Sequence, residues 1–358
     1  MSRLAWLAVL LAAGCGPTNR IPLLRALEGH KGGITHGALS ADGSRALSYG
    51  CHTVRLWDVG AGKELQCRKL DYSVLHLAFT PRGALAFTGD GVADEALRVW
   101  DVETGKLLRC FPEPASCAAV SADGRWVLGG HGRRSVGQSN LQDCCVRVWD
   151  LESGRELAHL TGLALPVEKV ALSTDGRRVI AADLGGDLYV WDLESGQLLQ
   201  RLIHAQGGDP TQVAFSPDGR YALADRLGDV CLWNVGSGEE VRRFSPPAAA
   251  PKGRRGDDYL ISTKAFLPDG RRALFGLSNR ERTVIPPPPV VQPGRPRRSY
   301  TNLTLVDFTI VLRDLRTGAE LSRSDPQDYA LECLAVAADG RRALFARFKT
   351  LQVWGLPP

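Results

Sequence analysis

Apolar residues along this chain come in short bursts, and within many bursts they alternate with polar ones, as in "TVRLW" and "LRVW". A period of two places successive side chains on opposite faces of an extended strand, so these bursts predict β-strands. The bursts also recur. "TVRLWDVGAGKEL", "LRVWDVETGKLL", "VRVWDLESGREL", "LYVWDLESGQLL", "VCLWNVGSGEEV" and "IVLRDLRTGAEL" are copies of one unit, and "LQVWGLPP" is a truncated seventh. They align Trp57, Trp100, Trp149, Trp191, Trp233, Arg313 and Trp354, at spacings of 43, 49, 42, 42, 80 and 41 residues. Upstream of each lies a second landmark, an apolar run that closes on a turn glycine: Gly43, Gly83, Gly124, Gly176, Gly219, Gly270 and Gly340. Seven landmarks thus pair with seven.

The turns have their own chemistry. Asp-Gly and Pro-Asp-Gly supply the positive φ that a tight hairpin needs, so their aspartates are read as turn formers and not as catalytic groups. A further glycine stands five residues after each complete key position, from Gly62 to Gly318, and predicts a second hairpin turn. Each unit therefore holds four strands in about 42 residues.

Four strands per unit ending on Trp-Asp resembles the Trp-Asp repeat family of β-propellers. The resemblance covers residues 21–358 and implies an all-β, seven-bladed propeller with the seven key residues in structural positions. Gly29-His30 matches the family's Gly-His pair. Arg313 stands where the family has Trp, Asn234 and Gly355 where it has Asp, and the hairpin Asp recurs only as Asp94, Asp143 and Asp307. The family's hydrogen-bonded tetrad is incomplete, which leaves most blades to be held by packing.

The last copy stops at its third strand, whereas "IPLLRALEGH" at residues 21–30 has no Trp-Asp ahead of it and is a spare outer strand. Residues 22–27 are expected to pair with residues 350–354 and to close the ring, which removes the free edges of an open array. The resemblance places the turns between first and second and between third and fourth strands on one face, here the lower. Insertions at about 129–145, 246–258 and 277–306 then fall on the upper face.

The N-terminus is of another kind. "MSRLAWLAVLLAAGCG" carries one early Arg and an apolar core of about ten residues, too short to cross a bilayer but suited to an export signal. "LAAGC" resembles the bacterial lipoprotein signal, which implies that residues 1–14 are removed, that Cys15 carries lipid, and that residues 15–20 link the anchor to the propeller. That places the chain at the cell envelope, in the periplasm or on the outer membrane. Of the eight other cysteines, Cys110 and Cys117 lie across a short loop and are the best-placed disulfide pair, the remainder being read as packing residues.

Composition narrows the function. A net charge of +5 over 358 residues is mild, and nucleic acid is not expected as a partner. The seven histidines show no metal-ligand spacing, and no nucleophile motif stands in its proper setting, so neither cofactor, metal nor catalytic residue is assigned. The reading is a monomeric, non-catalytic platform for protein partners, with the membrane reached through the lipid. Candidate contacts are the upper-face cations Arg133, Arg134, Lys252, Arg254, Arg255, Arg295, Arg297 and Arg298. "VIPPPPVVQPGRPRRSY" adds a proline-rich segment that favours an extended recognition peptide. Polyanion binding by those cations is the alternative, and a hydrolase or lyase site in the central funnel a more distant one.

Overall fold

The computed structural model describes residues 20–90, 94–131, 144–202, 212–226, 229–245, 258–285, 300–326 and 331–358. Within them the regular elements are 28 β-strands, arranged as seven four-stranded antiparallel sheets. Each sheet is one blade. Its first strand is innermost, and the seven inner strands are Ile34–Leu39, Val74–Thr80, Cys117–Val120, Val167–Leu172, Val213–Phe215, Asp258–Phe266 and Leu331–Val336. Each inner strand contacts the next, and the last contacts the first, so the ring is closed around a central channel. Blade 1 begins at Ile34 and blade 7 at Leu331.

Apolar contact falls between blades. One core cluster joins Leu128, Val146 and Val148 of blade 3 to Val179, Ala181, Tyr189 and Trp191 of blade 4, and every seam has a counterpart. Sheets that converge on an axis leave least room at their inner ends. Accordingly the residue five before the turn glycine is alanine in all seven inner strands: Ala38, Ala78, Ala119, Ala171, Ala214, Ala265 and Ala335. Three of the turn glycines, Gly43, Gly124 and Gly176, are also closely approached by the preceding blade. Gly43 has φ of 66°, and a Cβ there would lie 2.8 Å from Arg342 Cδ of the preceding blade; at Gly176, with φ of 72°, it would lie 2.7 Å from the Trp126 ring.

Blade 7 is assembled from both ends of the described chain. Its outer strand, Leu23–Glu28, pairs antiparallel with Thr350–Gly355, placing Leu27 opposite Leu351 and Arg25 opposite Val353. Leu27 has no exposed surface and packs with Leu351, Val353, Ile34 and Trp57. Just before this strand the Ile21 amide donates to Arg323 O at 3.0 Å, and Arg20 pairs with Asp325 at 3.0 Å, so the same segment also clasps blade 6.

Outer strands latch onto the lower turns of the next blade through long polar side chains. Arg25 donates to Gly60 O at 2.9 Å, Arg68 to Glu103 O at 3.0 Å, Gln200 to Gly236 O at 3.2 Å and Arg242 to Arg316 O at 2.8 Å. Arg109 reaches both Leu151 O, at 3.1 Å, and Glu152 O. A cation on a turn carbonyl is a charge-assisted bond; among the described residues four seams have an arginine latch of this kind and a fifth has the neutral Gln200 amide. The start of the blade 7 outer strand therefore lies at the lower rim.

Three local features differ from the sequence reading. Cys110 and Cys117 are both free thiols. Cys110 belongs to the outer strand of blade 2 and Cys117 to the inner strand of blade 3, so the short loop between them crosses the width of a sheet instead of folding back; a disulfide needs Cα atoms within about 7 Å. In blade 2 the first hairpin is tight, with Thr80 opposite Gly83, which slides its inner strand two residues against its neighbour relative to the other blades. In blade 6 the 277–306 insertion is flanked by continuous ladder: Arg272–Ile285 pairs with Tyr300–Asp314 out to Ile285 opposite Tyr300. At about 3.4 Å per residue these strands are roughly 48 Å long, against about 20 Å for a six-residue strand such as Arg45–Gly50.

Candidate functional site: the upper mouth of the channel

Inner strands run from the upper face down to the glycine turns, so their first residues ring the upper mouth of the channel. Five of them have a register irregularity there, between Ile34 and His36, Val74 and His76, Val167 and Lys169, Ile261 and Thr263, and Leu331 and Leu334. A bulge inserts a residue on one side of a ladder and re-aims the side chain that follows it. The residues after the first four of these are His36, His76, Lys169 and Thr263, and each stands seven before its turn glycine. Cys117 and Gln212 occupy the same count in blades 3 and 5, and Gln212 Oε1 accepts the Lys264 amide of blade 6 at 3.3 Å. In blades 1 and 4 this places His36 and Lys169 one pleat above Ala38 and Ala171, whereas the slid inner strand of blade 2 sets His76 opposite Phe87, the level that Ala38 holds in blade 1.

Burial governs its electrostatics. The His36 imidazole is half-buried and held down to about 4, chiefly because burial disfavours its charged form and then because the Lys169 ammonium repels a proton. His76 is likewise lowered to about 4, by burial and then by His36. Both rings are neutral near pH 7 and present one donor and one acceptor each. His36 Nδ1 lies 3.0 Å from the Thr35 hydroxyl. The Cys117 thiol is pushed up to about 12 by burial, partly opposed by Lys169 and reinforced by Glu168, so it is a packing thiol and not a thiolate nucleophile. Lys169 sits on blade 4 and His36 on blade 1, which are not neighbours. The ammonium therefore acts on the imidazole across the bore.

Around this mouth the upper rim holds two turns with non-glycine residues in the left-handed region, Cys51 and His52 in blade 1 (φ 49° and 59°) and Phe348 in blade 7 (φ 46°). Phe348 is 54% exposed, and its carbonyl accepts the Ile34 amide at 2.7 Å, so the blade 7 turn is fastened to the start of blade 1. Between blades 1 and 2 lies a groove of about 300 Å³ lined by Arg68, Tyr72 and Trp100 among others, where the Arg98 guanidinium stands 4.5 Å from the centre of the Tyr72 ring.

The key positions behave as structural residues. Trp57, Trp149, Trp191, Trp233 and Trp354 are buried, and Trp100 is half-buried. In blade 1 the Trp57 indole donates to the Ser48 hydroxyl at 2.8 Å, which leaves that hydroxyl's proton for His30 Nε2 at 2.7 Å. Blade 2 keeps one such bond, from Trp100 to Thr88 at 2.9 Å. The other blades have Gly129, Ala181, Ala224, Phe275 and Phe345 at the hydroxyl position, and there the Trp191 indole donates instead to Thr161 O at 3.1 Å and the Trp354 indole to Gln352 Oε1 at 3.3 Å. Burial lowers the pKa of Arg313, partly opposed by Glu320, which stands opposite it in the ladder.

Cys15 and the cations Arg133, Arg134, Lys252, Arg254, Arg255, Arg295, Arg297 and Arg298 lie outside the described residues. Among the described residues no group of three or more His, Cys, Asp or Glu side chains is placed to hold a metal ion, and no helix is long and apolar enough to cross a membrane. These positions went unread in the sequence, although a signal was there: His36, His76, Lys169, Gln212 and Thr263 each stand seven before a turn glycine, with Cys117 and Cys333 at the same count in the other two blades.

These features define a seven-bladed β-propeller of Trp-Asp-type blades closed by its N-terminal strand. Residues 21–58 match the family model of the WD domain, G-beta repeat. That segment spans the outer strand of blade 7 and three strands of blade 1, the blade in which His30, Ser48 and Trp57 form their hydrogen-bonded set. No curated protein matches the chain.

Proposed function

We propose that this propeller is a non-catalytic platform whose upper face receives a protein partner, and that its lower rim is tethered to a bacterial cell envelope through lipid on Cys15. The observation that carries the first part is the asymmetry between faces. Glycine turns and arginine latches occupy the lower face, while the blade 6 ladder extends about eight residues beyond an ordinary second hairpin on the upper face. Propellers of this fold commonly serve as interaction scaffolds, which supports the same reading by analogy. Placement of the Leu23 end at the lower rim supports the second part, because the linker from Cys15 then approaches the face opposite the arm.

Replacing residues 281–304 with Asn-Gly joins Arg280 to its partner Leu305 through a two-residue hairpin and leaves the blade intact. In pull-downs from an envelope fraction, the shortened protein is expected to keep its melting temperature and lose proteins that the full chain recovers. Recovery of the same set by both overturns the upper-face reading. Loss of all of them between low and moderate salt would favour polyanion binding instead. For the tether, Cys15→Ser is expected to move the protein from the membrane to the soluble fraction and to abolish incorporation of labelled fatty acid; unchanged partitioning rejects it.

A further inference from the structure

One position of the outer strands plugs the seam to the next blade, and blade 1 fills it with a different kind of residue. In blades 2, 3, 4, 5 and 7 it is Phe111, Leu160, Leu202, Phe244 and Leu27, opposite Leu97, Val146, Leu188, Val230 and Leu351 in the third strand. Each of these five side chains is at most 2% exposed and belongs to the apolar core of its seam. Blade 6 has the buried Ser324, tied to Ile310 of the facing strand by two hydrogen bonds. Blade 1 has Arg68, opposite Val54; it is exposed, and its guanidinium donates to Glu103 O of blade 2 at 3.0 Å. The groove of about 300 Å³ lies at this seam, and its walls include the buried Val54, Ala86 and Val102. Trp100 also lines it and is half-buried, whereas the other five key tryptophans are at most 7% exposed.

The rim is cationic on balance. Arg68 and Lys69 line the groove, and the Arg98 guanidinium stands 4.5 Å from the centre of the Tyr72 ring that lines it too. Of the two acids present, Asp101 is held by its own turn, where it accepts the Thr104 amide at 2.8 Å, which leaves Asp71. A guanidinium carries five N–H donors in a planar fork that suits a carboxylate, and the Glu103 carbonyl takes one of them.

We propose that this groove receives a leucine or phenylalanine side chain from an extended segment of a protein partner, with a neighbouring carboxylate of that segment on Arg68. The apolar side chain lies against Val54, Ala86 and Trp100, in the place that Leu27 and Phe111 fill in their own seams from within the chain. The volume is at the lower end of the roughly 300–1,000 Å³ of ligand pockets, which suits one large side chain and not a folded element. This is a second contact surface, on the seam of blades 1 and 2 and apart from the blade 6 arm, so it stands or falls independently of the upper-face reading.

The test uses the full chain and follows the Trp100 indole N–H resonance by NMR, assigned by its loss in Trp100→Phe. Four capped probes are compared: Gly-Glu-Phe-Glu-Gly, its counterpart with Ala for Phe, its counterpart with Lys for Glu, and a peptide of residues 285–299. The Glu-Phe-Glu peptide is expected to shift the resonance saturably, with the Ala counterpart about ten- to hundredfold weaker. The Lys counterpart should be about two- to fivefold weaker. Arg68→Leu, which restores the plug of the other blades, should abolish the response and keep or raise the melting temperature. Arg68→Ala should leave the groove open, retain the preference for Phe over Ala and remove the preference for Glu over Lys. Equal binding of the Phe and Ala peptides, an unchanged response in Arg68→Leu, or no response to any probe would overturn the site. Loss of Phe binding in Arg68→Ala as complete as in Arg68→Leu would overturn the apolar anchor. Tighter binding of the 285–299 peptide than of the Glu-Phe-Glu peptide would overturn the foreign partner in favour of a second copy of this chain.

Discussion

Leu27→Asp is expected to unfold the propeller or lower its melting temperature further than any surface substitution. Leu27 is completely buried where the first strand closes blade 7, against Leu351, Val353 and Trp57. Truncating such a leucine to alanine costs about 2–5 kcal/mol through lost burial and the cavity left behind. Aspartate adds an unpaired carboxylate in the same place, and the sum approaches the roughly 5–15 kcal/mol that holds a typical domain folded. Detachment of Leu23–Glu28 would also uncover the edge of Thr350–Gly355, so limited proteolysis should cut first in blade 7. Leu24→Asp, three residues earlier at a 51% exposed position, is expected to change stability by no more than about 0.5 kcal/mol. Similar melting curves for the two variants would show that closure does not depend on this strand.

Acid should destabilise the protein in a defined window. His30, His36, His76 and His131 are all lowered from 6.5 to about 4, in each case chiefly by burial. Between those values the unfolded chain binds protons that the folded chain refuses, so stability rises with pH from about 4 to 6.5 and is lost as pH falls through that range. His30 and His131 are almost wholly buried, and each contributes on the order of 3 kcal/mol at most; the half-buried pair at the channel mouth contributes less. A fall in melting temperature on the order of 10 °C between pH 6.5 and 4.5 is expected. Asp42 and Asp150, lowered to about 2 by hydrogen bonds from Ser40, Ser44 and Ser153, stay ionised over this interval and do not account for the loss. His30→Gln, which keeps a partner for Ser48, should flatten the profile; a melting temperature independent of pH across the window would contradict the burial argument.

The architecture was legible because a closed ring of identical units repeats its own constraints. Turn glycines, key tryptophans and the spare segment at 21–30 each follow from requirements local enough to read by eye, and the strand pairing they predicted is the one present. What escaped depends on how units meet. The Cys110 and Cys117 thiols are close in sequence yet sit on opposite edges of adjacent sheets, a separation that loop length does not reveal. The ladder flanking the blade 6 insertion was hidden because prolines in its middle drew attention from the alternation in "LTLVDF" on its return strand. At the channel mouth, His36 and Lys169 acquire meaning only when non-neighbouring blades are brought face to face across the bore. The recurring inner-strand alanine was visible as a column in the repeat, but its reason is radial convergence, a property of the whole ring.

Because one blade is shared between residues 23–28 and residues 331–355, ring closure has to wait for synthesis to reach Thr350. Six blades can assemble as the polypeptide emerges from the ribosome, but the earliest strand must remain unpaired, with Leu27 bare, until the latest one is released. Maturation of the ring is therefore timed by the arrival of residues 350–355.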